Sequence, residues 1–172
     1  MTIHSQIRAL IIDMDGVLWH GSEAMPGLTG FFETLRARDL RFILATNNAT
    51  LTPEQYVKKL ASMGVEVSLD EVMTSGMATA MYLAKTHDPA KTRIFVLGEE
   101  GLLKPLRDLG FTLTDLYELN GENTKGADIV VSGKDHGINW DKLATATLNI
   151  RAGAQFVGTN GDTTLPTERG LT

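Results

Sequence analysis

The sequence predicts an α/β protein built on parallel sheet, and three observations lead to this class. Short apolar runs rich in branched side chains recur along the chain, as in strands of parallel sheets that are buried on both faces. Segments whose apolar residues have helical spacing separate these runs. The first two runs end abruptly in polar residues, and open α/β sheets bind ligands at the carboxyl ends of their strands.

The first half of the chain has the order strand, helix, strand, which predicts a βαβ unit. Thr52 and Pro53 suit the cap and first turn of a further helix, and Gly64 suits its end. Ser75 is the expected cap of the helix after that. The predicted strands are 9–12, which we expect to be buried on both faces, and 41–46; the predicted helices are 28–38, Thr52 to Gly64, and 77–86.

A second α/β series follows a break at 88–92, so we place a boundary between about residues 80 and 92. Pro105 lies within one helix of this series, which should therefore start late or bend. The polar segment 159–172 is expected to be a loop that lies between the two units and faces the site. The predicted strands are 93–97, 111–113, 128–132 and 155–158, and the predicted helices are about 100–109 and 140–152.

Composition excludes several classes of function. Hydrophobic residues make up 42% and charged residues 22% of the 172 residues, which indicates an ordinary globular protein. The net charge of −5 and the lack of a basic run argue against nucleic-acid polymers and anionic membranes as partners. The absence of cysteine excludes disulfides, zinc–thiolate sites and a cysteine nucleophile. With no secretion signal or membrane span in the sequence, we expect a cytoplasmic protein.

Asp13 and Asp15 directly follow the first predicted strand, and Gly16 allows a sharp turn there. Because strand side chains alternate, both carboxylates are expected on one side. Two carboxylates at a sheet edge can bind Mg²⁺, which shares its remaining positions with water and phosphate oxygens. One can attack phosphorus while the other transfers protons. The alternative is a turn in which these residues cap a helix or face solvent.

Thr46, Asn47 and Asn48 follow the second predicted strand at the same edge. A hydroxyl, side-chain amides and backbone N–H groups at this point can bind a phosphoryl group. The alternative is an ordinary turn at the exit of a strand. Trp19 lies in the loop after the two aspartates, and its main expected role is to bury surface area.

Together these segments resemble the haloacid dehalogenase-type phosphatases. Residues 11–18 resemble the first motif of that superfamily, and residues 44–48 resemble the second. A finer resemblance joins the chain to the branch of the NagD-like, p-nitrophenyl phosphate, phosphoglycolate and pyridoxal phosphatases. This finer resemblance also takes in residues 95–102, 158–162 and 165–166, and so extends over nearly the whole chain.

The resemblance implies roles for the residues that match the motifs. Asp13 would be the nucleophile that forms an aspartyl phosphate, and Asp15 the general acid and base. Mg²⁺ would bind to the Asp13 side chain and the Asp15 backbone carbonyl. Thr46 would bind the phosphoryl group, with Asn47 and Asn48 beside it. The implied activity is Mg²⁺-dependent hydrolysis of small phosphorylated metabolites.

The resemblance also implies a domain organisation. Residues 1–85 would form part of a Rossmann-like core with a parallel sheet, and residues 86–172 a second α/β domain, the cap. The third and fourth motifs of the family, a lysine and an acidic pair, lie after the cap, and this chain ends before them. We therefore expect a longer parent protein, and we expect residues 1–172 alone to be a very poor phosphatase. Lys134 lies within the cap, where a solvated turn is the favoured interpretation.

Two other functions remain open at this point. A metal-dependent glycosyltransferase could use Asp13 and Asp15 to bind a nucleotide-sugar diphosphate, and it would not need the Thr46 hydroxyl. A non-catalytic fragment could bind phosphorylated ligands without turning them over. Pairing of the chain with itself is also expected to be possible, because an incomplete sheet exposes a strand edge.

Overall fold

Two parallel sheets with flanking helices organise the chain in a computed structural model. The structure describes residues 7–118 and 126–162 and the backbone of 166–167 and 170–171. The strands are β1 (Ala9–Asp13), β2 (Trp19–His20), β3 (Glu23–Ala24), β4 (Arg41–Thr46), β5 (Val72–Thr74), β6 (Arg93–Leu97), β7 (Thr112–Leu113), β8 (Ile129–Ser132), β9 (Gln155–Gly158), β10 (Pro166–Thr167) and β11 (Gly170–Leu171). The α-helices are α1 (Leu28–Ala37), α2 (Pro53–Ser62), α3 (Ser75–Thr86), α4 (Glu100–Asp108) and α5 (Trp140–Arg151).

The chain divides into two compact units. The first consists of Met1–Thr46, Pro53–Met73 and Asp162–Thr172, and the second of Asn47–Thr52 and Thr74–Gly161. Helix α3 therefore belongs to the second unit, although all of it except Thr86 precedes residue 86. The predicted division into 1–85 and 86–172, as core and cap, stays a prediction.

The first unit contains a three-stranded sheet in the order β1, β4, β5. The pairing of β1 with β4 is parallel, from Ala9 opposite Arg41 to Asp13 opposite Ala45. Both strands were predicted, and β1 extends one residue further, to Asp13. Parallel pairing brings the carboxyl ends of β1 and β4 to the same edge of the sheet, as the sequence predicted.

The expected burial of β1 on both faces is wrong for the described part of the chain. Ile12 is 8% exposed, whereas its neighbour Ile11 is 82% exposed. Strand β4 has the same alternation, since Phe42 and Leu44 are buried and Ile43 is 36% exposed. The described residues thus cover one face of this sheet, and with a period of two the other face keeps apolar side chains exposed.

The second unit contains a four-stranded parallel sheet in the order β7, β6, β8, β9. Its two central strands, β6 and β8, are packed on both faces, as is usual for strands in parallel sheets. One face contributes Ile94, Ile129 and Val131 to a core with helices α3 and α4. The other contributes Phe95, Leu97 and Val130 to a core with helix α5.

Helix α4 begins at Glu100 and contains Pro105, so the predicted late start is wrong. Pro105 has no N–H to donate to the carbonyl of Gly101, four residues earlier. Gly76 of α3 closely approaches that same carbonyl, and a Cβ on Gly76 would lie 2.2 Å from the oxygen. Close helix packing therefore takes place where the proline has removed an intrahelical bond.

Some local predictions were corrected by the structure. The N-cap of α3 is Thr74, whose hydroxyl accepts a hydrogen bond from the Met77 N–H, and the predicted cap Ser75 instead donates to the Asn47 carbonyl. The hairpin of β2 and β3 lies within a predicted loop. The predicted loop 159–172 contains the antiparallel pair β10 and β11, but residues 163–165, 168–169 and 172 lie outside the described part, so its predicted location is not tested.

Candidate active site

Asp13 and Asp15 lie where β1 ends. Met14 between them is 0% exposed, while the Asp13 side chain is exposed and Asp15 is half-buried. The two carboxylates therefore alternate with a buried side chain, as the period of two in a strand predicts. The Asp13 Oδ1 accepts a hydrogen bond from the Met14 N–H over 2.8 Å. Gly16 follows with a φ of 80°, which only glycine adopts easily, and turns the chain away from the sheet.

The structure brings Thr46, the last residue of β4, against Asp15. The Thr46 hydroxyl donates to Asp15 Oδ2 over 3.4 Å, and Thr46 is 6% exposed. Asp13 lies opposite Ala45, one residue before Thr46. Three of the predicted site residues, Asp13, Asp15 and Thr46, thus meet at one edge of the first unit's sheet.

Asn47 and Asn48 follow Thr46 in the chain and belong to the second unit. The Asn48 Oδ1 accepts hydrogen bonds from the N–H and the hydroxyl of Thr50, over 3.0 and 2.8 Å. This contact forms a turn at the exit of the strand, which is the alternative interpretation that the sequence left open for these residues. Their predicted role beside a phosphoryl group stays a prediction.

Trp19 contacts the site directly, although the sequence indicated mainly burial for it. The ring is buried, with Trp19 at 1% exposure, and its Nε1–H donates to Asp15 Oδ1 over 2.8 Å. Asp15 therefore has one carboxylate oxygen bonded to Trp19 and the other bonded to Thr46.

Two residues of α2 that the sequence did not single out complete this region. The ring of Tyr56 stacks on Trp19 with centroids 6.2 Å apart, and the ammonium of Lys59 lies 4.0 Å from the Trp19 ring centroid. Lys59 also donates to the Gly21 carbonyl over 3.1 Å, at the turn of the β2–β3 hairpin. Their spacing of three residues places both on one face of the helix, but the sequence did not reveal that this face packs on Trp19.

The carboxylate of Asp15 influences both α2 residues electrostatically. Burial, and then the negative charge of Asp15, raise the pKa of the Tyr56 phenol far above its ordinary value, and the neighbouring Thr46 hydroxyl offsets part of this rise. Tyr56 is 1% exposed, and its hydroxyl has no hydrogen-bond partner of standard geometry in the described part of the chain. Partial burial lowers the pKa of Lys59, whereas the charge of Asp15 opposes that change.

The residues present fit a magnesium ion. The Asp13 carboxylate and the Asp15 backbone carbonyl would provide hard oxygen ligands at an accessible strand end, and Mg²⁺ commonly binds through one or two carboxylates together with water and phosphate oxygens. No group of three or more metal-ligating side chains occurs among the residues that the structure describes. The donor set therefore suits a metal that takes few protein ligands better than it suits zinc.

Comparison with known proteins identifies the family. The model of the haloacid dehalogenase-like hydrolases matches residues 10–112, which include Asp13, Asp15 and Thr46. The chain belongs to the haloacid dehalogenase-like hydrolases. A curated relative, the 5'-nucleotidase YutF of Bacillus subtilis, is 38% identical over 164 residues, which cover 95% of this chain and 60% of that protein. The chain thus spans about three fifths of the length of this relative.

Solved structures support the same assignment. A hypothetical protein from Pyrococcus horikoshii matches with a TM-score of 0.85 and 46% identity, over 95% of this chain and 62% of its own. A glycerol phosphate phosphatase from Mycobacterium tuberculosis in complex with magnesium matches with a TM-score of 0.82 and 32% identity, over 95% of this chain and 47% of its own. Matches named putative p-nitrophenyl phosphatase and putative NagD protein confirm the finer resemblance. No helix in the described ranges could cross a membrane.

Proposed function

We propose that this protein hydrolyses small phosphomonoesters through an aspartyl phosphate on Asp13, with Mg²⁺ as cofactor. The observation that supports this proposal most strongly is the contact between Thr46 and Asp15 beside Asp13 at the carboxyl edge of β1 and β4. An accessible carboxylate, a second carboxylate with polar partners and a hydroxyl are the groups that phosphoryl transfer to and from an aspartate requires.

In the first step, a carboxylate oxygen of Asp13 attacks phosphorus, and the bond from phosphorus to the ester oxygen breaks. The carboxyl group of Asp15 donates its proton to the departing oxygen, so that an alcohol leaves. In the second step, Asp15 takes a proton from a water molecule, which attacks the aspartyl phosphate. Inorganic phosphate leaves, and both aspartates return to their initial protonation states.

The Asp13 side chain and the Asp15 backbone carbonyl would hold the metal, and Thr46 would donate a hydrogen bond to the phosphoryl oxygens. When bound, Mg²⁺ neutralises the negative charge that builds up as a carboxylate approaches a phosphate dianion. Asn47 and Asn48 are proposed to extend the phosphoryl site from the residues that follow Thr46. We propose a small phosphorylated metabolite as substrate, and cytoplasmic location and self-association stay predictions from the sequence.

The relatives support this activity, since one is named a 5'-nucleotidase and another a glycerol phosphate phosphatase. Membership in the same family does not favour the alternative of a glycosyltransferase, whose DxD pair would have no need of the Thr46 contact. The alternative of a non-catalytic binding fragment makes a different prediction, because such a protein would bind phosphorylated ligands and release no phosphate.

The test replaces Asp13, the proposed nucleophile, in the full-length protein. Asp13→Asn keeps the shape of the side chain but removes the attacking carboxylate, so phosphate release with Mg²⁺ should fall to background, and no acid-stable phosphoenzyme should be trapped from labelled substrate. The matched control is Asp39→Asn, because Asp39 is exposed and lies before the start of β4, at the opposite end from Thr46. Its φ of 52° is also tolerated by asparagine. Wild-type turnover by Asp13→Asn would exclude the covalent mechanism.

A further inference from the structure

We propose that Trp19 is a positioning residue for Asp15, and that its indole N–H fixes which carboxylate oxygen transfers the proton. This proposal rests on the proposed phosphatase function. It goes beyond that function because it assigns a role to a side chain outside the matched nucleophile, acid and phosphoryl-binding positions. It also explains why a buried tryptophan occupies the hairpin directly after the site.

The hydrogen bonds at Asp15 separate its two oxygens. The Trp19 Nε1–H donates to Oδ1 over 2.8 Å, a good N–H···O distance, whereas the Thr46 hydroxyl lies 3.4 Å from Oδ2. An indole N–H can only donate, so Oδ1 must remain an acceptor while this bond exists. Because a carbonyl oxygen accepts more strongly than the oxygen of an O–H group, this bond favours placing the transferable proton of a protonated Asp15 on Oδ2. Because a hydroxyl can rotate, Thr46 can then donate to a phosphoryl oxygen instead.

Trp19 is itself held by two residues of α2. Tyr56 stacks on the ring at a 20° angle between the ring planes, and the Lys59 ammonium lies over the ring at 4.0 Å from its centroid. Lys59 also bonds to the Gly21 carbonyl, which fixes the β2–β3 hairpin to the helix. A cation over the π face draws electron density toward itself, which makes the N–H a stronger donor to Asp15.

A rigid indole has a direct chemical consequence for a general acid. A carboxyl group that rotates about its Cβ–Cγ bond presents either oxygen to the substrate, and misplacement by about 1 Å can cost a reaction roughly 10²-fold. The indole N–H prevents this rotation in the ground state. Loss of the N–H should therefore impair proton donation more than it impairs substrate binding.

The kinetic test compares Trp19→Phe with Trp140→Phe in the full-length protein with Mg²⁺. Both variants exchange the same side chains, but Trp140 is 78% exposed and belongs to the second unit. The ratio kcat/KM reports the steps up to departure of the alcohol. Trp19→Phe should lower it about 10- to 100-fold for glycerol phosphate, whose leaving group needs a proton, but less than about threefold for p-nitrophenyl phosphate, whose leaving group does not. Trp140→Phe should change neither value.

Equal losses on both substrates would overturn the proposal, because a merely structural role lowers the amount of active protein and affects every substrate alike. Lys59→Met keeps the indole and removes the cation. It should lower kcat/KM selectively for glycerol phosphate in the same way, but by a smaller factor. A uniform loss or no loss in Lys59→Met would remove the claim that the cation strengthens the bond.

An NMR measurement tests the contact without relying on activity. Residues 1–172 contain two tryptophans, so the amide correlation spectrum of this chain contains two indole N–H signals, and Trp140→Phe assigns them. The Trp19 signal should lie downfield and exchange slowly with solvent, and Asp15→Ala should abolish both properties while Asp13→Ala preserves them. This result tests the contact on which the positioning role depends even if Trp19→Phe fails to fold. If Asp13→Asn remains active while the indole signal responds to Asp15, then the proposed mechanism fails and the contact stands. If the indole signal ignores Asp15, the positioning role fails by itself.

Discussion

Met14 separates Asp13 and Asp15 at the end of β1, and its side chain is 0% exposed while the Asp13 side chain is exposed. This alternation of buried and exposed side chains depends only on sequence spacing, which is why it could be predicted. The contact of Trp19 with Asp15 depends instead on a four-residue return of the chain after Gly16, and the spacing of apolar residues contains no signal for it.

At the same scale, the packing of Gly76 on Gly101 leads to a stability prediction. A Cβ at position 76 would lie 2.2 Å from the Gly101 carbonyl oxygen, which belongs to the backbone and cannot rotate away. Gly76→Ala should therefore lower the free energy of unfolding by about 1–3 kcal/mol, as overpacking of a core does. Urea denaturation of the purified protein measures this change.

Gly30→Ala is the matched control for this substitution. Gly30 is also a helical glycine, lies exposed in α1, and has open space where a Cβ would stand, with no contact within 4 Å. Because alanine restricts the unfolded chain and favours helix, Gly30→Ala should stabilise the protein by about 0.5–1 kcal/mol. If Gly76→Ala is as harmless as Gly30→Ala, the two helices do not approach each other as closely as described.

At the scale of elements, the two sheets differ in how far the sequence could predict their burial. The apolar runs of β1 and β6 look alike, yet β6 is packed on both faces whereas β1 is covered on one. Local pattern predicts that a run is a strand, but burial depends on which other elements cover it. The short β2–β3 hairpin was missed for a related reason, since two-residue strands are too short for alternation to be recognised.

The neighbouring residues Ile11 and Ile12 test the one-sided burial of β1. Ile12 is 8% exposed, so Ile12→Thr buries a hydroxyl in an apolar site and should lower the free energy of unfolding by about 1–3 kcal/mol. Ile11 is 82% exposed, so Ile11→Thr should change it by less than about 0.5 kcal/mol. Urea denaturation of residues 1–172 measures both changes.

The exposed face also predicts self-association, because exposed apolar patches promote contacts between chains. Light scattering at increasing concentration should show less association for Ile11→Thr than for the unchanged chain of residues 1–172. Ile12→Thr serves as the control, since it makes the same chemical change on the opposite face. In the urea denaturation experiment, equal destabilisation by Ile11→Thr and Ile12→Thr would mean that β1 is buried on both faces.

At the scale of the whole molecule, the chain contains the residues proposed as nucleophile and acid, Asp13 and Asp15, but spans about three fifths of a curated relative. Phosphoryl transfer depends largely on positive charge placed around the transferring group. In the described part of the first unit, Lys59 interacts electrostatically with Asp15, and its ammonium is directed at the Trp19 ring and the Gly21 carbonyl. The family of the chain could be predicted from the sequence, whereas the third-motif lysine that the resemblance implies as a source of positive charge stays an expectation.

This distribution of charge predicts that residues 1–172, expressed alone, form a very poor phosphatase. Removal of one stabilising group at such a site typically costs about 10²-fold or more in rate, so loss of several should lower kcat by several powers of ten. The measurement is phosphate release from a panel of phosphomonoesters with Mg²⁺, after the mass of the chain has been confirmed.

The matched control is the 5'-nucleotidase YutF of Bacillus subtilis, assayed whole and cut to the region that matches this chain. The whole relative should be active, and its cut form should be as poor a phosphatase as residues 1–172, since both chains would place the nucleophile in the same electrostatic surroundings. A monomeric chain of 172 residues with the turnover of the whole relative would mean that residues within 1–172 supply the positive charge.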